Sequence, residues 1–248
     1  MTVGAGLGGR VVLVTGAGGN VGRAVAAAFA AAGADVAVNV RSDGARAEAV
    51  ADDARRGGVR AAAVVGDVTH PDRATAVVDA AVAALGRVDA LVHCVGYRSH
   101  GPILDTTEDD WRRSLDTNCS SFLYLARRLV PPMADRGWGR LVAITGSAAT
   151  RPARGYGAVG VTKTALATLV STVALEVGSS GITANMVSPA VTEAGKTEGM
   201  SAERLGQLLA IPRAARFAEI AAACTYLASD DAAYVTGQTL HVDGGLHI

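Results

Sequence analysis

The stretch YGAVGVTK sets a phenol, Tyr156, seven residues before an ammonium, Lys163, in a chain whose only other lysine is Lys196. A tyrosine can give a proton to a developing oxyanion when a neighbouring positive charge lowers its pKa. Both groups must then face one pocket. At ~100° per helical residue, a separation of seven leaves the side chains about 20° apart, and a separation of four leaves about 40°. The rise differs more, ~10.5 Å against ~6 Å. The pair is competent for acid catalysis, but the tyrosine starts one turn further out. His93 and Cys94 also carry reactive groups. They close the buried run RVDALVHCVG (87–96), where the structural reading is preferred and His93 satisfies a backbone carbonyl. Cys94, Cys119 and Cys224 are far apart and odd in number. They have no metal-ligand spacing and read as buried thiols of a reducing, cytoplasmic compartment.

Such residues need a frame. Short β-branched runs at 10–16, 35–40, 59–68, 87–96, 139–147, 182–189 and 238–245 read as seven strands. Ala-rich helical stretches alternate with them, at 20–33, around 45–58, from Pro71 to about 86, at 107–135, 156–179 and 214–229. That alternation demands a parallel sheet, doubly wound, with right-handed crossovers and helices on both faces. No Pro/Ser-rich linker divides residues 1–248, so they read as one domain. Ligands of such sheets bind beyond the carboxyl ends of the strands. The polar segment 191–212 then reads as a substrate lid.

Composition excludes several functions. Half of the 248 residues are hydrophobic, and 23 acidic residues balance 23 basic ones. No basic run is present, which argues against nucleic acid. No segment reaches ~18 uninterrupted apolar residues, so no membrane span is expected. The opening MTVGAGLGGR has no charged region followed by an apolar one and is not read as a leader.

TGAGGNVG (15–22) lies between the first strand and the first helix. A turn there presents backbone N–H groups and a helix N-terminus to a pyrophosphate, with glycines allowing close approach. The spacing resembles T-G-x(3)-G-x-G of the short-chain dehydrogenase/reductase family, with Gly16, Gly18, Val21 and Gly22 in the loop. Asn20 replaces the middle glycine and is expected in a left-handed conformation.

The resemblance covers nearly the whole chain and implies a single Rossmann domain. GDV (66–68) is similar to the family's adenine-contacting pair, which gives Asp67 and Val68. VHCVG departs from the family's N-N-A-G but keeps Gly96. Asn118 matches the asparagine that supports the lysine through water. After the second strand, VNVRSDG places Val40 at the usual acidic position, followed by Arg41 and Ser42. A permanent guanidinium there favours a 2′-phosphate and hence NADPH, with Asp43 as an opposing charge.

Aligned on Lys163, the family's usual tyrosine becomes Val159 and its serine becomes Gly146, with Ser147 one residue off. P-G-x-I-x-T becomes PAVTEA (189–194). Pro189 is retained, Ala194 replaces the nicotinamide-contacting threonine, and Thr192 is expected to take part of that role. The Y-x(6)-K spacing resembles the enoyl-acyl-carrier-protein reductases, type III above all. That resemblance implies hydride transfer from NADPH to an α,β-unsaturated acyl thioester, tethered to a carrier protein or CoA. Tyr156 would meet the enolate oxygen and Lys163 would hold the ribose. The alternatives are a carbonyl or ketoacyl (polyketide) reductase, or a cofactor-binding relative acting as isomerase, cyclase or scaffold. The family also implies a homotetramer, built through 107–135, 156–179 and the last strand.

Overall fold

Five apolar or half-apolar residues in a row leave β1 (Val11–Thr15) no face for water, and all five are buried. The same holds along β2 (Asp35–Val40) and β5 (Gly139–Ile144), as it must for strands covered on both sides. The structure is a computed structural model and describes residues 6–193 and 201–248. Among these, β3 (Ala61–Val65), β4 (Ala90–His93), β6 (Ile182–Pro189) and β7 (Thr239–Val242) complete an all-parallel seven-stranded sheet of order β3-β2-β1-β4-β5-β6-β7. The order reverses between β1 and β4, which opens a crevice at their carboxyl ends.

The crossovers are α1 (Asn20–Ala31), α2 (Gly44–Arg56), α3 (Pro71–Leu85), α4 (Glu108–Leu115), α5 (Ser121–Asp135), α6 (Gly157–Val177), α7 (Ala202–Gly206) and α8 (Phe217–Ala228). Strand periodicity assigns them to faces. Val12 and Val14 join a core with Phe29 of α1, Val50 of α2 and Leu227 of α8. Val11 and Leu13 point the other way, into a core with Val77 of α3, Leu125 of α5 and Leu166 of α6.

Most differences from the expected elements lie where the site is built. Strands β3, β4, β5 and β7 end before the sequence pattern does, at Val65, His93, Ile144 and Val242, and the glycine-containing residues that follow leave the ladder. The expected helix 107–135 is instead α4 and α5 joined by a π-helical turn, Asp116–Ser120, which carries the buried Asn118. Such turns are common at functional sites. Tyr156 stands just outside α6, with φ −121° and ψ 21°. The azimuth and rise calculated for a helical Tyr156 therefore do not apply. Gly157–Ser180 has the length and apolarity of a membrane span. It nevertheless packs on β6 with Leu166 and Val170 buried, as a core helix does. In the expected lid, Thr192 bridges Ala215 and α7 forms a short helix. Residues 194–200, with Ala194 and Lys196, lie outside the described residues.

Candidate active site

The turn after β1 is closed by glycine sterics. Gly16 has φ 67°, and a Cβ there would sit 3.0 Å from the Cys94 carbonyl carbon and the Val95 nitrogen. At Gly22 a Cβ would fall 2.3 Å from the Gly16 oxygen, so α1 packs directly on the turn. Asn20 is the first residue of α1, and none of the described non-glycine residues has positive φ. The left-handed conformation expected of Asn20 is thus corrected: helix entry, not turn closure, is what the position requires. No side chain caps α1, so its first N–H groups are available to an anion. A dinucleotide pyrophosphate fits this cradle.

Beyond β2, Val40 is buried while Arg41 and Ser42 are exposed. The Asp43 carboxylate accepts from the Arg46 N–H at 3.0 Å and caps α2. That commits the opposing charge to a helix N-terminus. The same turn lays the Arg46 side chain over Gly18, where a Cβ would meet Arg46 Cδ at 3.2 Å. Arg46 was not legible as a site residue, because its approach depends on the Asp43 cap. After β3, Asp67 accepts from both the N–H and the hydroxyl of Thr69, at 2.9 and 2.8 Å. Burial pushes the Asp67 carboxyl up, but the Thr69 donors, with His70 and Arg41, hold it below its ordinary value. Val68 is buried beside it.

A cleft of about 410 Å³ opens at the crevice. It brings together Val21, Gly96, Asn118, Tyr156, Lys163, Pro189 and Thr192. The remaining predicted cofactor residues, Gly16, Gly18, Asn20, Gly22, Arg41, Ser42, Asp67 and Val68, do not line it. They form the turn and the ends of β2 and β3.

Lys163 is buried, and its Nζ donates to the Ile144 carbonyl at 2.7 Å and more weakly to Val95 at 3.5 Å. Burial lowers its pKa to about 8, with Cys94 raising it and Arg98 lowering it further. Asn118 clamps the Tyr97 backbone, accepting from its N–H at 2.8 Å and donating to its carbonyl at 2.9 Å. It also donates to the Thr162 hydroxyl at 3.0 Å. All its side-chain hydrogen bonds thus hold the walls beside Lys163. Tyr97 is fixed at its other end, where its hydroxyl donates to Asp110 and Arg113 lies 4.2 Å over its ring.

Tyr156 meets His100 edge to face, with ring centroids 5.2 Å apart. Val159 is buried in the cleft wall where the family's tyrosine would stand. Gly146 adopts φ 152° and ψ 159°, a conformation closed to most side chains, and Ser147 then opens a 3₁₀ turn. β5 has already ended at Ile144, so strand alternation does not send Ser147 away. It lines the cleft.

His93 is structural, but with hydroxyl partners and not the expected carbonyl. Its Nδ1 is 3.0 Å from the Thr15 hydroxyl and its Nε2 is 3.0 Å from Ser121 Oγ. Ser121 spends its own hydrogen on the Thr117 carbonyl. Nε2 must therefore donate and Nδ1 accept, which fixes a neutral tautomer. Burial, with Lys163 nearby, pushes His93 down to about 3. Cys94 lies beside it, and burial raises its thiol to about 12, which makes it a poor nucleophile.

A family profile described as Enoyl-(Acyl carrier protein) reductase matches residues 16–247. The 3-oxoacyl-(acyl-carrier-protein) reductase FabG of Escherichia coli (strain K12) is 33% identical over 97% of this chain and 98% of its own. A blue fluorescent protein from a metagenomic library, solved in complex with NADPH, superposes with a TM-score of 0.91 at 32% identity, over 98% of this chain and 99% of that one. A 7α-hydroxysteroid dehydrogenase, solved with NADH and 7-oxo glycochenodeoxycholic acid, also gives 0.91, at 31% identity over 96% and 94%. With a glycine turn after β1, a lysine on α6 and a parallel sheet reversing between them, the chain belongs to the short-chain dehydrogenase/reductase family of oxidoreductases.

Proposed function

We propose that this oxidoreductase is an NADPH-dependent carbonyl reductase acting on a 3-oxoacyl or polyketide-like thioester, with Tyr156 as the acid. The observation that carries the reading is that Tyr156 and Lys163 share one cleft although Val159 occupies the usual tyrosine position. The likeness to a 3-oxoacyl reductase over the full chain favours C=O over C=C reduction.

When bound, the cofactor supplies a hydride to the carbonyl carbon. The carbonyl π pair moves onto oxygen, and Tyr156 completes the alcohol by giving that oxygen its phenolic proton. Lys163, as an ammonium, would hold the nicotinamide ribose from the same cleft. Ser147, which also lines the cleft, would donate to the carbonyl oxygen. Asn118, Gly96 and Val21 line the same cleft, and Pro189 and Thr192 would hold the nicotinamide. Gly16, Gly18, Asn20 and Gly22 take the pyrophosphate, and Asp67 and Val68 take the adenine. Arg41, Ser42 and Arg46 receive the 2′-phosphate, which supports NADPH. Of the two solved neighbours described above, one was solved with NADPH and the other with NADH.

Enoyl-thioester reduction is the second reading, favoured by the Y-x(6)-K spacing and by the family profile. One assay separates them. NADPH oxidation is measured with acetoacetyl- and crotonyl-thioesters, for the wild type and for Tyr156→Phe. The carbonyl reading expects turnover of the acetoacetyl substrate, reduced about 10²–10⁴-fold by the substitution. Turnover of crotonyl-thioester alone overturns it in favour of the enoyl reading.

We further propose a cytoplasmic homotetramer. Cys94, Cys119 and Cys224 are unbridged thiols, which suits a reducing compartment. Val161 and Leu175 of α6 are exposed, Leu175 by 87%, on a helix apolar all round and therefore suited to burial on both sides.

A further inference from the structure

Past β7 the chain turns back through Gly244 and Gly245 and gathers three donor groups. The ligand atoms of His241, Asp243 and His247 all lie within 4.8 Å of one another. Asp243 is buried, and its Oδ1 accepts from the Gly245 N–H at 3.0 Å, which shapes the turn. Oδ2 is left to the two imidazoles. His247 Nδ1 is 2.7 Å from it and donates; His241 Nδ1 is 3.7 Å away, beyond hydrogen-bond reach. That nitrogen is buried and has no hydrogen-bond partner among the described residues. An orphaned buried nitrogen is unfavourable and calls for a missing water or ion.

We propose that His241 Nδ1, Asp243 Oδ2 and His247 Nδ1 bind a divalent cation of the zinc class. Zn–N and Zn–O bonds of ~2.0–2.2 Å place tetrahedral neighbours ~3.3 Å apart. The shorter of the two observed separations must open by about 0.6 Å and the longer close by about 0.4 Å to meet that value. The imidazoles, now stacked at 3.8 Å and 17°, must tilt so that both lone pairs converge. His247 is exposed and free to make that adjustment. Binding releases the Nδ1 proton of His247 to solvent or moves it to Nε2. Two nitrogens among three ligands favour zinc over magnesium or calcium, which take oxygen donors.

Charge agrees. His241 and Asp243 line one cavity of about 380 Å³ with Arg213 and Glu219. Arg213 is held by two bonds to Glu219, at 2.7 and 2.9 Å, which direct its guanidinium at that carboxylate. Asp243 supplies the negative charge among the three donor groups. The cavity also leaves room for water at a fourth position. The cation would act as a clamp: Leu246, within the ligating segment, lines the catalytic cleft, and its carbonyl accepts from Arg151 at 2.7 Å.

The test uses the full chain without a polyhistidine tag, stripped by chelator and titrated with zinc or magnesium chloride by calorimetry. Expected are one zinc per chain, no comparable magnesium binding, and a Tm raised by zinc. His247→Ala and His241→Ala should each weaken zinc by about tenfold or more and abolish the Tm rise, with circular dichroism unchanged. His70→Ala, on the β3 side of the sheet, should bind as the wild type. Zinc binding that survives both cluster substitutions, equal affinity for magnesium, or no zinc binding by the wild type overturns the proposal.

Discussion

Burial lowers the Lys163 ammonium to about 8, so its charge is at risk just above physiological pH. Catalysis needs the protonated form. The kcat/KM for reduction should be level below about pH 8 and fall above it, since this parameter reports the free enzyme. Lys163→Arg, which does not titrate there, should flatten the fall in whatever activity it retains. Stability moves the other way. Between about 8 and the ordinary 10.5, the unfolded chain holds a proton that the folded chain does not, so stability contributed by this residue rises with pH. His93 makes the matching statement in acid. Its pKa drops from 6.5 to about 3, so the unfolded state gains a proton first, and stability falls as pH falls through that window. The loss is up to ~5 kcal/mol. His93→Gln keeps a donor toward Ser121 and cannot titrate. Its urea midpoint should change less between pH 6.5 and 4 than that of the wild type; an unchanged slope would assign the acid loss elsewhere.

At the scale of elements, the turn between β1 and α1 is a junction with no slack. A methyl at Gly22 has no room, because the obstruction is the Gly16 backbone oxygen. Gly22→Ala should weaken NADPH binding about tenfold or more and lower stability by ~1–3 kcal/mol, read by fluorescence titration and by melting. Wild-type affinity would mean that α1 can move off the turn. This junction was legible because its glycines and the start of α1 lie within eight residues, TGAGGNVG. Lys163 was legible for the same reason, as part of one helix. The less legible features depend on distant chain segments. Tyr156 left the helix that its spacing implied. Ser147 entered the cleft only because β5 stopped three residues early. Arg46 reached Gly18 through the Asp43 cap, and His93 found hydroxyls on β1 and α5. The strands themselves read clearly, since both faces are buried and each is a short apolar run. Their ends did not, because the glycine-containing residues that follow, such as Gly66, Gly96 and Gly146, can either extend a strand or leave it.

For the whole molecule, the sheet's two cores explain why a 50% hydrophobic chain needs so few aromatics: Val, Ala and Leu fill both layers. What the two cores leave uncovered is also informative. Leu175 is exposed on α6, so Leu175→Arg should place a charge in the proposed subunit contact. Sedimentation should show the wild type as a tetramer and this variant as dimers or monomers. A wild-type monomer would refute the assembly.

The bond from Arg151 to the Leu246 carbonyl has a practical bearing on how the protein is handled. Leu246 is a wall of the cleft, two residues before Ile248. An affinity handle or fluorescent fusion appended after Ile248 would tug on that wall and add foreign imidazoles beside His247. β1 starts at the amino edge of the sheet, opposite the cleft at the carboxyl ends, so kinetic comparisons between laboratories should fix the end that carries the tag.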